Sequence, residues 1–220
     1  MNMDVKLQEK CECRTDSSKF YNSLMNGDFR MKGECAVSLL LTKLDIVNVE
    51  LSMERKRTVI QIKTGRLKSF ESTCKKMKKK GLELNFPTAV ERINDLIGVR
   101  AVCSYVDDIY AVADVLEQQS DIRILKKKDY IQNPKNSGYR SLHLILEIPI
   151  VFKGGTQWVK MELQLRTAAM DYWANLDHQL RYKKRKKESD EIDEELRQCA
   201  EVVDKLDKRM LEIRRKIDKL

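Results

Sequence analysis

From Gln157 to Arg166 the chain alternates without a break: Val159, Met161, Leu163 and Leu165 fall on one side, Lys160, Glu162, Gln164 and Arg166 on the other. A period of two belongs to a β-strand that buries one face and leaves the other polar. The stretch from Arg140 to Ile150 reads as a second strand, and Gly154-Gly155 supplies a turn between the two, which predicts a hairpin. A fold for this chain must therefore lay a sheet over a core. On the far face it must hold an acid, an amide and a base at intervals of roughly 7 Å. An acid at Glu162 is ordinary on a solvated face and costly on a covered one without partners.

Around the hairpin, helices and strands mix. Residues 34–60 place Val37, Leu40, Leu44, Val47 and Leu51 at steps of three and four, predicting an amphipathic helix. A second helix is expected over 69–80, ending in a lysine cluster with Gly81 as its stop. Ile97–Cys103 reads as a short buried strand, and 106–119 as a helix opened by Asp107 and Asp108. Ile122 to Leu125 begins a further strand, and Ala168 to about Tyr182 reads as a helix closed by the basic run 183–187. Residues 1–33 show no sustained period and are expected to be a short helical or irregular arm. From Ile192 through Leu196, Cys199, Val203, Leu206, Met210, Ile213 and Ile217 to Leu220 the apolar positions step alternately by four and three. That heptad seam needs an apolar partner, either another subunit or the helices of residues 34–60.

A formal charge of +9 favours an anionic partner, nucleotide or nucleic acid, although basicity alone is a weak signal. The six cysteines, at 11, 13, 35, 74, 103 and 199, form no pair of Cys-x-x-Cys motifs, and His143 and His178 are the only histidines. A structural zinc site is not expected from such spacings. Residues 1–30 hold no apolar signal core and no long apolar run follows, so the expected place is the cytoplasm, away from membranes, with reduced cysteines. Cys11 and Cys13, in the N-terminal arm, read as incidental thiols or as thiols with a redox role.

Chemistry concentrates in Lys128 to Leu144, KDYIQNPKNSGYRSLHL, where a charged strand end runs through a Pro/Asn/Ser/Gly loop into an apolar strand. Its rings and cations suit a planar anionic ligand. Each residue taken singly has a plainer alternative. Tyr139 is a ring presented by a flexible loop, or a half-buried anchor; His143 is on the polar side of its strand, or a satisfied structural histidine. Asp95 precedes a buried strand and reads as a cleft carboxylate or as a cap. Arg66 after Gly65, and Arg100 inside an apolar strand, are unusual in context, and a guanidinium can stack on an aromatic ring while its edge binds phosphate. Lysines 75, 76, 78, 79 and 80 are an anion surface or a solvated helix face, and Asp177 with His178 reads as helix surface. Two carboxylates on neighbouring strands, Asp95 and Glu162, suit Mg²⁺, which takes hard oxygens and completes its shell with substrate phosphates.

Taken together, TGRLKS at 64–69, DLIGVRAVC at 95–103, KDYIQNPKNSGYRSLHL at 128–144 and MELQLRTAAMDYWANLDHQLRYK at 161–183 resemble the synthetase domain of RelA/SpoT-type alarmone synthetases, in its small single-domain branch. The resemblance spans roughly Thr64 to Lys184. It implies pyrophosphate transfer from ATP to the ribose 3′-hydroxyl of GDP or GTP, giving ppGpp or pppGpp and AMP. It further implies Asp95 and Glu162 as Mg²⁺ ligands, with Glu162 also taking the proton of the attacking hydroxyl. Arg66 and Arg100 resemble the pair that sandwiches adenine, and Lys68, Ser72 and Lys76 match positions that hold ATP phosphates. Tyr139 resembles the ring stacked on guanine; His143, Gln164 and Asp177 resemble supporting residues of the acceptor cleft, and Lys128 and Lys135 acceptor-phosphate contacts. Three positions depart from the pattern: Asp177 where glutamate is usual, Asp171 where asparagine is frequent, and Asn94 where arginine is commoner.

The expected fold is α+β, a mixed-sheet nucleotidyltransferase-like core flanked by terminal helices. Residues 1–63 would form an arm and helical lead-in, 64–184 the catalytic core, and 185–220 a heptad helix for packing or oligomerisation. Small members of the family form homotetramers through their terminal helices, so a tetramer is expected. No phosphate-cradling glycine loop is present, and the histidine-aspartate metal site of the family's hydrolase half is missing, which implies a one-way synthetase. Two rival readings share these residues: a toxin-type relative with adenine nucleotides or tRNA as acceptor, and a non-catalytic regulator binding nucleotide or single-stranded RNA through its lysine clusters.

Overall fold

The computed structural model describes residues 18–183 and 189–219, with the side chains of 181–183, 189 and 190 left aside. Cys11, Cys13 and most of the basic run 183–187 lie outside the described residues. After a helix over 18–25 (α1) come α2 (Asp28–Arg55), β1 (Ile60–Leu67), α3 (Phe70–Lys79), α4 (Phe86–Arg92), β2 (Ile97–Cys103) and α5 (Val106–Glu117). Then follow β3 (Arg123–Asp129), β4 (Leu142–Phe152), β5 (Gly155–Thr167), α6 (Ala168–Lys183) and α7 (Ser189–Ile217). The five strands form one sheet in the order β1-β2-β5-β4-β3, parallel between β2 and β5 and antiparallel elsewhere. The fold is α+β, as expected.

The hairpin forms as its alternation requires. Val159, Met161, Leu163 and Leu165 of β5, with Leu142, Leu144, Leu146 and Ile148 of β4, are buried in one core with Ala36, Leu40, Leu44, Val47 and Leu51 of α2. Each such leucine contributes about 1.5–3 kcal/mol by leaving water. The expected helix over 34–60 begins earlier and ends at Arg55, because Lys56 adopts a left-handed conformation (φ 52°) and turns the chain back. Two polar side chains of α2 then receive the returning backbone: Val59 N donates to Ser52 Oγ and Ile60 N to Asn48 Oδ1. Strand β1, which the helical reading had covered in part, is a mostly exposed sheet edge and so lacks a buried alternation.

A second apolar cluster joins Phe20 and Leu24 of α1 to Met77 of α3, Ala89 of α4, and Ile93 and Leu96. It grips the chain on both sides of Asp95. Helix α4, absent from the sequence reading, opens on Asn85, whose side chain accepts from Thr88 N, with Pro87 in the first turn. The C-terminal seam divides. Leu196, with Ile192 and Val203 partly buried and the neighbouring Ala200, packs against Trp173 of α6, while Leu206, Met210, Ile213 and Ile217 stay exposed and Leu220 lies outside the described residues. The seam's partner within the chain is therefore α6 rather than α2, the long helix of residues 34–60. Among the described residues no helix is long and apolar enough to cross a membrane.

Candidate active site

The polar face of the sheet is the floor of a cleft of about 550 Å³. Sheet register explains who meets there. Gly98 lies opposite Glu162 and Arg100 opposite Gln164 in the parallel β2/β5 ladder, while His143 lies opposite Gln164 across β4/β5. A Cβ at Gly98 would meet Glu162 O at 4.0 Å, so the glycine leaves the cleft floor open beside that residue. The cleft lining brings together Arg66, Asp95, Arg100, Glu162 and Gln164 of the expected residues.

Glu162 is buried and held on both oxygens. His143 Nδ1 donates to Oε1 at 3.3 Å and Gln164 Nε2 to Oε2 at 2.7 Å. The other histidine nitrogen, Nε2, accepts from the Tyr139 hydroxyl at 2.8 Å, which assigns the proton to Nδ1. Arg166 Nη2 donates both to the Tyr139 hydroxyl (2.7 Å) and to Gln164 Oε1 (2.8 Å). A closed ring of hydrogen bonds results: Arg166, Tyr139, His143, Glu162, Gln164 and back to Arg166. Burial pushes the Glu162 carboxyl up, but the bonds from His143 and Gln164 outweigh it and hold the group below its ordinary value. Burial lowers His143 despite the carboxylate beside it, which favours the neutral imidazole.

Asp95 faces this ring with cations of its own. Lys68 Nζ lies 2.9 Å from Oδ2 and Lys76 Nζ 2.7 Å from Oδ1. Burial raises the carboxyl, and the two ammonium groups overcome that and keep it low. Oδ1 is buried without an aligned hydrogen bond, its contact with Lys76 being an ion pair alone. Asp95 also pushes Glu162 upward electrostatically, so the two carboxylates share one field. Paired carboxylates beside lysines fit a hard divalent cation that completes its shell with substrate oxygens.

The remaining expected residues are spread around this centre. Ser72 stands in the first turn of α3, its hydroxyl 2.9 Å from that of Ser69, the residue that caps the helix. Lys128 lies opposite His143 in the β3/β4 ladder, so both side chains leave the same face. Lys135 Nζ lies over the Tyr130 ring at 4.6 Å and the Tyr139 ring at 4.5 Å. On α6 the cleft is lined by Ala174, Asn175, His178 and Gln179, with Asp177 just outside.

Sequence reasoning missed part of the wall. Arg166 was placed on the correct face but given no role, although alternation alone put it beside Glu162 and Gln164. Its Nη1 also donates to Asp171 Oδ1 at 3.0 Å, and the same oxygen pairs with Arg100 at 3.1 Å. Arg100 is thereby held by Asp171 and by Asn175 Oδ1. Asp171, Asn175 and His178 sit at helical spacing on one face of α6, the signal that would have moved His178 from helix surface to cleft.

An α+β sheet whose polar face couples a buried, ionised carboxylate to a lysine-flanked aspartate defines a protein that handles phosphorylated ligands. The chain belongs to the RelA/SpoT family: residues 65–187 match the family described as the region found in RelA / SpoT proteins. It is 39% identical over 216 residues to the GTP pyrophosphokinase YwaC of Bacillus subtilis, covering 98% of this chain and 100% of that protein. The crystal structure of small alarmone synthetase 2 from Bacillus subtilis superposes with a TM-score of 0.75 at 41% identity, over 84% of this chain and 96% of the other. That of small alarmone synthetase 1 from the same organism, bound to its product pppGpp, gives 0.76 at 33% identity, over 84% and 94%.

Proposed function

We propose that this chain is a Mg²⁺-dependent GTP pyrophosphokinase of the cytoplasm, moving pyrophosphate from ATP to the ribose 3′-hydroxyl of GDP or GTP. The products are ppGpp or pppGpp and AMP. One observation carries the reading: Glu162, held on both oxygens, stands in one cleft with Asp95, which Lys68 and Lys76 flank. The full-length match to a GTP pyrophosphokinase supports the choice of substrates.

In this reading Glu162 takes the proton of the acceptor 3′-hydroxyl. The freed oxygen bonds to the β-phosphorus of ATP, the bond between that phosphorus and the bridging oxygen breaks, and AMP leaves with the electron pair. Asp95 and Glu162 would hold Mg²⁺, which when bound neutralises phosphate charge. Lys68 and Lys76, paired with Asp95 in this structure, turn to the phosphates of ATP, assisted by Ser72 at the start of α3. Arg66 and Arg100 embrace adenine. Tyr139 stacks on guanine, with its hydroxyl fixed by His143 and Arg166, while Gln164 and Asp177 support the acceptor and Lys128 and Lys135 meet its phosphates. Residues 64–184 form the catalytic core. The exposed stripe of Leu206, Met210, Ile213 and Ile217 serves self-association, with a homotetramer as the assembly.

Thin-layer chromatography with γ-labelled ATP, Mg²⁺ and GDP, GTP, GMP, AMP or tRNA in parallel tests the proposal. Label on a guanine nucleotide, lost in Glu162→Gln, is the expected result. Label only on adenine nucleotide or tRNA would replace the acceptor, and no transfer from folded protein would end the enzymatic reading.

A further inference from the structure

The inner face of α7 touches the acceptor side of the cleft at successive turns. Leu196 O accepts from Trp173 Nε1 at 2.9 Å, and one turn later Ala200 O accepts from Arg140 Nη1 at 3.3 Å. A further turn on, Asp204 Oδ1 lies 3.4 Å from Arg140 Nε. The same guanidinium donates to Gly138 O at 3.2 Å. Arg140 thus ties its own loop to the helix, and its side chain is only 14% exposed.

Gly138 is shaped for this contact. Its φ of +85° belongs to the left-handed region, and a Cβ there would stand 2.5 Å from Ala200 Cβ. Loop backbone and helix backbone approach as closely as two residues without bulk permit. Tyr139, between the glycine and the arginine, packs its ring against Trp173, Leu196 and Ala200. Its hydroxyl at the same time closes the ring that holds Glu162.

We infer that Arg140 is a positioning residue for the acceptor nucleotide, fastening the Tyr139 loop to α7 and making that helix a wall of the acceptor site. This rests on the reading of Tyr139 as the guanine-stacking ring. The clamp's bonds run from Arg140 to Gly138, Ala200 and Asp204 and from Trp173 of α6 to Leu196, and none of them involves the donor residues Arg66, Lys68, Ser72, Lys76 or Arg100. Loosening it therefore degrades acceptor binding selectively. Donor binding is left alone, a split that general destabilisation would not produce.

The test compares Arg140→Met, which keeps length but donates nothing, Arg140→Lys, and Ala200→Val, which presses on Gly138 with Arg140 intact. Thermal melts establish folding, KM for ATP and for GTP is measured separately, and calorimetric titration with GDP reads acceptor binding without turnover. Arg140→Met and Ala200→Val should each raise the acceptor KM and the GDP Kd about tenfold or more, as loss of about 1.4 kcal/mol would. The KM for ATP should stay within about twofold, and Arg140→Lys should recover part of the loss. Folded variants with unchanged acceptor constants, or with donor and acceptor shifted together, overturn the clamp. A wild-type protein that turns over no guanine nucleotide overturns instead the proposed function, and the GDP titrations still decide the clamp.

Discussion

His143 Nδ1 stands 3.3 Å from Glu162 Oε1, and against the pull of burial that contact is the chief influence holding the carboxyl below its ordinary value. Glu162 is held below its ordinary 4.5 and burial holds His143 below its ordinary 6.5, so both groups change charge on the acid side of neutrality. A base held low is already ionised at neutral pH. From these two groups kcat/KM should reach a plateau toward alkaline pH, with activity lost as pH falls. His143→Phe removes a donor that lowers Glu162, so the acid limb should move to higher pH. Profiles of kcat/KM against pH for the two proteins check this, and an unmoved limb would assign it to another group.

Glu162→Gln keeps the shape but offers one acceptor where the carboxylate offers two, and it cannot accept the hydroxyl proton. A positioned base contributes about 10²–10⁴-fold, so kcat should fall by that order, and the melting temperature should drop through the loss of one buried hydrogen bond. Single-turnover assays on the variant measure the chemical step directly.

Arg166 is buried and joins three partners, Tyr139, Gln164 and Asp171. Arg166→Met opens the ring around Glu162 and leaves Asp171 with Arg100 as its remaining ion-pair partner. Breaking a buried pair of this kind costs about 3 kcal/mol. Chemical denaturation should show a loss of that order, and kcat should drop with it because Gln164 and Tyr139 lose their common anchor.

The parts of this site legible in the chain were those set by local period. Alternation from Val159 to Arg166 placed Glu162 and Gln164 on one polar face, and the loop signals around Gly138 presented Tyr139. What period cannot carry is pairing between distant segments. Arg100 and Asp171 meet because β2 and β5 run parallel side by side, and Arg140 meets Ala200 because α7 folds back over the loop. Strand β1 was obscured because an exposed edge has no apolar face to alternate, and its first amide hydrogen-bonds a side chain of the preceding helix. Helix α4 was overlooked although Asn85 and Pro87 mark its start; with so few turns it offers capping signals but little period.

Gly65 lies under Val37 of α2 so closely that a Cβ would stand 2.2 Å from Val37 Cγ1 and 3.4 Å from its Cβ. A β-branched side chain in a helix has little rotamer freedom with which to yield. Gly65→Ala should therefore push β1 away from α2, costing about 1–3 kcal/mol and raising the KM for ATP through neighbouring Arg66. Val37→Ala removes the clashing methyl groups and leaves an ordinary contact. The double variant should be less destabilised than the sum of the single ones, and a double-mutant cycle by denaturant melts reads the coupling. Strict additivity would place the strain elsewhere.

Asp207 of α7 accepts from Thr167 Oγ1 at 2.7 Å, and Thr167 in turn accepts from Met170 N at the start of α6. The carboxyl is pushed up to about 6, chiefly by burial, with the charge of Asp204 adding to the rise and Thr167 and Arg140 opposing it. An acid raised in the folded state binds its proton more tightly there than in the unfolded chain. Folding is then favoured while Asp207 is protonated, and stability declines as pH rises from 3.8 through about 6. Asp207→Asn keeps an acceptor for Thr167 and never acquires the charge. Above pH 6 it should be more stable than wild type by about 1–2 kcal/mol, allowing for solvent that partly screens the group. The advantage should shrink as pH falls toward 4 and vanish below the unfolded value of 3.8. Denaturant melts of both proteins across that range measure the difference, and one that stayed constant with pH would assign the gain to packing rather than to the proton.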